Sequence, residues 1–176
     1  YASRGAAGRM TVLVLGESAD PATRITAASV GLVDAAGKLV GQATAADKEL
    51  AGSLIMIPTT VAPGTYRMRF AATDAAGRGG AADFEVVADL TPAGPLKLGG
   101  LLIGAIRNNS MAMALQFRDE EKIVGYIEMY GQITRVSARM EVAATPDGPA
   151  ITTVQPGRSG TSEADKFILT GEIPIA

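Results

Sequence analysis

Glycine, proline and threonine interrupt this chain about every ten residues, and between interruptions the apolar residues rarely recur at the three- and four-residue spacing of a helix face. Short alternating segments at that spacing predict an all-β chain built as a sandwich or barrel. The first half reads as six strands: Met10–Gly16, Ala28–Val33, Lys38–Thr44, Ser53–Ile57, Thr65–Thr73 and Ala82–Val87. Two of the connections share a motif, Asp34-Ala35-Ala36-Gly37-Lys38 and Asp74-Ala75-Ala76-Gly77-Arg78. Asp at the first turn position and Gly where a positive φ is wanted make both of these hairpin turns. A calcium reading of the two aspartates is weaker, because each stands without the several oxygen donors such a site assembles.

In Tyr66-Arg67-Met68-Arg69-Phe70, alternation places Tyr66, Met68 and Phe70 on a core face and the two arginines on a wet one. The opening Pro63-Gly64-Thr65-Tyr66, followed by Ala-Thr-Asp-x-x-Gly-Arg and a last strand, resembles the end of many bacterial Ig-like and fibronectin type III-like domains. That resemblance implies that Tyr66 is a structural tyrosine-corner residue whose hydroxyl bonds back to nearby backbone. The prolines and glycine of Ala88 to Pro95 then read as a linker. The expected division is a first sandwich over residues 1–88, a linker over 89–97 and a second sandwich over 98–176. Leu98–Ile106 and Met111–Phe117 flank Arg107-Asn108-Asn109-Ser110 and read as a hairpin.

The halves compare. Met10–Glu17 has a counterpart in Lys122–Met129, Ser29–Val33 in Ser137–Val142, and Asp47-Lys48 leading to Gly52–Pro58 in Asp165-Lys166 leading to Gly171–Ile175. On this alignment the second sandwich lacks its last hairpin. An unfinished sheet exposes unpaired backbone groups, so something covers it: a continuing chain with another Pro-Gly-x-Tyr hairpin, or a strand added by a partner. The chain opens on Tyr1 with no basic and apolar leader, which reads as a stretch of something longer. The tandem plan, the Tyr-Arg-x-Arg strand, the Asp-Ala-Ala-Gly-Arg turn and the Leu-Lys-Leu-Gly-Gly-Leu-Leu-Ile-Gly opening of the second half also resemble the tails of acidobacterial von Willebrand factor A-related proteins. That resemblance implies an exported, extracytoplasmic protein whose β-domains act as spacers or contact surfaces. No adhesion-type metal site carries over, because no Asp-x-Ser-x-Ser stretch occurs.

Composition narrows the chemistry. A net charge of −2 provides no basic field for nucleic acid or an anionic membrane surface. The chain has neither Cys nor His, which removes disulfides, thiolate metal sites, the commonest metal ligand and the commonest general base. No cofactor is called for. The longest uncharged apolar stretch, Leu98–Ile106, is too short to span a bilayer as a helix, which takes roughly 20 residues.

The dense charge run Arg118-Asp119-Glu120-Glu121-Lys122 reads as a solvated turn, not an acid/base pair, since neighbouring side chains diverge. Thr145–Pro149 and Pro156–Ser162 read as loops, the second without the Gly-Lys-Ser/Thr ending of a phosphate loop. Serines near glycine at Ser18 and Ser159 have no imidazole to activate them. The chain is therefore expected not to be an enzyme, and no catalytic, cofactor or metal residue is assigned. Tyr126, Met129 and Tyr130 form an apolar run that alternation splits over two faces; they are the candidate protein contact, with burial of both faces as the plainer reading. The expected function is a non-enzymatic, structural and protein-binding β-sandwich module, joined to a partner by β-strand addition at the edge of the second sandwich. Carbohydrate or small-ligand binding is the alternative, weakened by the absence of Trp.

Overall fold

In a computed structural model of the chain, the residues described are 1–52, 54–107, 109–118, 122–132 and 136–173. The protein is all-β apart from two single turns of helix, and it divides into two compact units, Tyr1–Leu90 and Thr91–Ala176.

The first unit holds β1 (Ala2–Arg4), β2 (Met10–Glu17), β3 (Ile25–Val33), β4 (Leu39–Thr44), a helical turn α1 (Asp47–Leu50), β5 (Leu54–Val61), β6 (Gly64–Asp74) and β7 (Gly79–Ala88). All pairings are antiparallel and form two sheets, ordered β1-β2-β5 and β4-β3-β6-β7. Period-two alternation sends Met10, Val12 and Val14 from one sheet and Val30, Leu32, Tyr66 and Met68 from the other into a single shared core. Four of the six expected strands lie inside observed ones; Lys38–Thr44 begins one residue before β4, and Ser53–Ile57 falls in β5 from Leu54 on, Ser53 lying outside the described residues. The short β1 and α1 were not expected from the sequence: three residues are too few for alternation to register, and α1 is one turn whose Glu49 carboxylate accepts the Ala46 N–H at 3.0 Å.

Both Asp-Ala-Ala-Gly segments are hairpin turns of one geometry. Asp34 Oδ1 accepts the N–H groups of Ala36 and Lys38 at 3.0 and 2.9 Å, and Asp74 Oδ1 accepts those of Ala76 and Arg78, both at 2.9 Å. Gly37 and Gly77 stand at φ 82° and 76°, where a β-carbon would be strained. The carboxylates are thus occupied by their own turns. In the second hairpin the Arg78 backbone N–H and guanidinium hold the Asp74 carboxyl below its usual pKa.

The second unit holds β8 (Thr91–Ala93), β9 (Leu96–Arg107), β10 (Ser110–Met113), β11 (Ile123–Tyr130), β12 (Met140–Ala143), β13 (Ala150–Val154), β14 (Gly157–Gly160) and β15 (Lys166–Ile173). Its main sheet runs β10-β9-β11-β15-β14, with β8 also on β9, while β12 and β13 make a separate two-stranded ribbon. β9 and β10 form a hairpin with Met111 opposite Ile106; the expected second strand Met111–Phe117 is cut to Ser110–Met113, and Asn108 of the expected turn lies outside the described residues.

Two sequence expectations are corrected here. The stretch read as a linker carries a strand, Thr91–Ala93, paired to Leu96–Leu98; Pro92 is tolerated because β8 lies at an edge, where its missing N–H removes no ladder bond. The loop Pro156–Ser162 contains strand β14, paired to β15 from Gly157 opposite Thr170 to Gly160 opposite Phe167. The ladders run from Met10 opposite Val61 to Glu17 opposite Leu54 in the first unit, and from Ile123 opposite Ile173 to Tyr130 opposite Lys166 in the second.

A candidate docking groove in the second unit

The floor of the site is one face of β9, β11 and β15. Ile103 pairs with Gly125 and Leu101 with Ile127 across β9 and β11, while Leu169 pairs with Ile127 and Gly171 with Gly125 across β15 and β11. Opposed residues share a face, so these side chains form one apolar surface. The cross-strand pair Gly125 and Gly171 leaves a pit in it. A β-carbon at Gly125 would lie 2.9 Å from Met140 Sδ, and one at Gly171 would lie 2.7 Å from the same sulfur, so the Met140 thioether of β12 sits in that pit.

The ribbon covers only part of the floor. At the covered end Leu96, Met129 and Leu169 are buried with Leu98, Ile127, Met140 and Phe167 packed against them. At the other end Leu101 is 56% and Ile103 42% exposed. Between floor and ribbon lies an open cleft of about 900 Å³, lined by these residues together with Val136, Met140 and Val142. In the first unit the inward residues of β2, Met10, Val12 and Val14, are all buried against the facing sheet. Among the described residues β12 pairs only with β13, so its outer edge carries unpaired backbone groups. Arg139, just before this strand, and Glu141 on it form an ion pair at 2.8 Å, Glu141 alternating along the strand with Met140 and Val142.

The opposite face of β11 is polar and closed. Tyr126, Glu128 and Tyr130 follow one another at period two, and Glu128 is 8% exposed. Its carboxylate accepts the Tyr126 hydroxyl at 3.1 Å and the Tyr130 hydroxyl, and pairs with the Lys166 ammonium at 2.8 Å. Burial raises the pKa of Glu128, but the hydrogen bonds from Lys166 and Tyr130, with the Lys166 charge, outweigh it and hold the group below its usual value. The Tyr126 hydroxyl is pushed up to about 12 by burial and by the adjacent Glu128 charge. Each oxygen has its donor, which is the condition for a buried polar cluster to stabilise.

The three residues singled out as a protein contact are therefore divided. Met129, 2% exposed, belongs to the groove-side core; Tyr130, 4% exposed, and the half-buried Tyr126 belong to the polar cluster. The residues left open are Leu101 and Ile103, which the sequence reading passed over as hairpin; their signal was two large apolar residues on one face of a strand whose cover was missing. Tyr66 is buried in the first unit, and its hydroxyl donates to the Ala62 carbonyl at 2.8 Å. Of the charge run, Asp119, Glu120 and Glu121 lie outside the described residues, while Lys122 makes an exposed ion pair with Glu172 at 3.6 Å. Arg158, on β14, stacks on the Phe167 ring at 4.0 Å. Among the described residues there is no group of three or more acidic side chains placed to hold a metal, and no helix is long and apolar enough to cross a membrane. Comparison with protein-family models, curated proteins and solved structures gives no match.

Proposed function

We propose that the chain is a non-enzymatic pair of Ig-like or fibronectin type III-like β-sandwich units, serving as spacer and contact surface within an exported bacterial protein or assembly. The observation that carries the reading is the open apolar floor at Leu101 and Ile103 beside the unpaired edge of β12. A surface of that kind is satisfied by extended polypeptide, whose backbone pairs with the edge while alternate side chains enter the groove. The tandem plan is supported by the pairing pattern: β2 with β5 and β3 with β4 in one unit, β11 with β15 and β12 with β13 in the other. The Tyr66 bond to Ala62, four residues upstream, supports its role as a tyrosine corner.

A second reading, small-ligand binding, is favoured by the volume of the cleft, about 900 Å³, which falls in the range of ligand pockets. Its apolar lining suits a hydrophobic molecule better than a sugar. Titration of the chain with a labelled peptide copying residues 63–73 decides between them. Saturable binding that slows amide exchange in β12 supports strand addition; no peptide binding, with saturable binding of a glycan or apolar small molecule in the cleft, overturns it.

A further inference from the structure

We infer that the occupant of the groove is an antiparallel β-hairpin whose first strand carries large apolar residues inward and basic residues outward; this rests on the strand-addition reading above and specifies its partner. In the first unit β3 has two neighbours, β4 on one side and β6 on the other, and β6 is followed directly by β7. In the second unit β12 has β13 where β3 has β4, and nothing among the described residues where β3 has β6. The missing neighbour is thus a strand antiparallel to β12, backed by a second one. A single strand would leave its own outer edge bare, whereas a hairpin supplies both strands together.

The chemistry follows from register. On β3 the inward Val30 and Leu32 pair with Phe70 and Met68, and the outward Gly31 between them pairs with Arg69. On β12 the inward Met140 and Val142 take the places of Val30 and Leu32, and the outward residue between them is Glu141. A basic residue on the incoming strand would face that carboxylate, and opposed charges across strands attract. An inward face of Tyr, Met and Phe with outward arginines, as in β6 itself, suits the exposed Leu101 and Ile103 below and Glu141 above.

The probe is a synthetic peptide copying residues 63–88, with residues 63–73 as the single-strand control, added to the full chain and followed by amide exchange and peptide fluorescence anisotropy. The hairpin is expected to slow exchange of the β12 amides about tenfold or more, to bind one per chain, and to bind more tightly than the single strand. Glu141→Arg should weaken it about threefold to tenfold, and a peptide with Arg67→Glu and Arg69→Glu should recover the loss. As a second measurement the same hairpin, appended to the chain through a flexible linker, should protect β12 intramolecularly. If the single strand protects β12 and the hairpin adds nothing, or if Glu141→Arg has no effect on hairpin binding, the hairpin inference falls while strand addition stands. If neither peptide nor the appended hairpin protects β12, both fall.

Discussion

The seat of Met140 can be tested by a double-mutant cycle with Gly171. A β-carbon at position 171 would lie 2.7 Å from Met140 Sδ and 3.3 Å from Val154 Cγ2. Ordinary contact lies at about 3.5–4.0 Å, so the thioether must retreat by about 1 Å. Overpacking of this kind costs about 1–3 kcal/mol, and because methionine is flexible the wedge should cost about 2 kcal/mol. Ala in place of Gly within a strand returns about 0.5–1 kcal/mol, leaving Gly171→Ala destabilising by about 1 kcal/mol. In a Met140→Ala background the sulfur is gone, and the same substitution should stabilise by about 0.5–1 kcal/mol. The coupling between the two sites is then about 2 kcal/mol. Whole-chain melts blend two units, so the assay is native-state amide exchange of β11 and β15 in graded urea, which reads the opening free energy of this sheet alone. Equal effects of Gly171→Ala with and without Met140 would show that the ribbon does not pack into the glycine pit, and the description of the groove would be wrong.

Tyr66→Phe deletes one hydrogen bond to the Ala62 carbonyl and should cost the first unit about 1 kcal/mol, or about 4–8 °C in Tm for a domain of this size; no shift by calorimetry would refute a structural role for the hydroxyl. The second unit should lose stability at both pH extremes. The depressed Glu128 contributes above its unfolded pKa, near 4.5, and less as pH falls through its folded value, whereas Tyr126, raised to about 12, contributes fully below pH 10 and loses that contribution between 10 and 12. Glu128→Gln should flatten the acid limb of a urea-midpoint profile, and an unchanged limb would count against the cluster. Gly104→Ala should detach β10, because its β-carbon would stand 2.4 Å from the Ala112 carbonyl oxygen and backbone cannot rotate away; Gly80→Ala, with nothing within 4 Å, should be neutral, and exchange of residues 110–113 tells the two apart. Leu101→Ser should cost the free chain about 1 kcal/mol or less, since over half of its surface already meets water, yet it should remove peptide binding to the groove; retained binding would put the docking site elsewhere.

Residues that decide their own conformation were legible in the sequence. Asp34 and Asp74 with their glycines wrote both turns, and Tyr66, Met68 and Phe70 fixed the inward face of β6 because the residues between them are charged or polar. Elements decided by a partner were not. Thr91–Ala93 and Gly157–Gly160 are strands because β9 and β15 offer edges to them, and their own composition argues for a turn. Ile123-Val124-Gly125-Tyr126-Ile127 has apolar residues on both faces, so alternation alone gives no preference between two registers one residue apart. The groove followed from no single residue. Its floor is ordinary strand sequence, and Leu101 and Ile103 stand out only by their exposure in the folded unit, beside an edge of β12 that no described strand pairs.

An open apolar floor beside a free strand edge is also a hazard, and the way this one is guarded bears on its use. β12 is four residues long and carries the charged Glu141, paired to Arg139 just before the strand; shortness and charge are two of the devices by which edges resist indiscriminate pairing. The long outer strand of the first unit, β7, is guarded differently, with Asp83 locked in a two-bond pair to Arg69 at 2.7 and 2.6 Å. There the charges are neutralised by the adjacent strand, so the edge offers nothing to read. On β12 the partner of Glu141 is Arg139, two residues away and just before the strand, with a side chain 75% exposed. Such a pair is held weakly and can be exchanged for a better-placed cation at little cost. On the proposal above, an edge guarded in this manner favours an incoming strand that brings a cation to Glu141 over one that brings an acid.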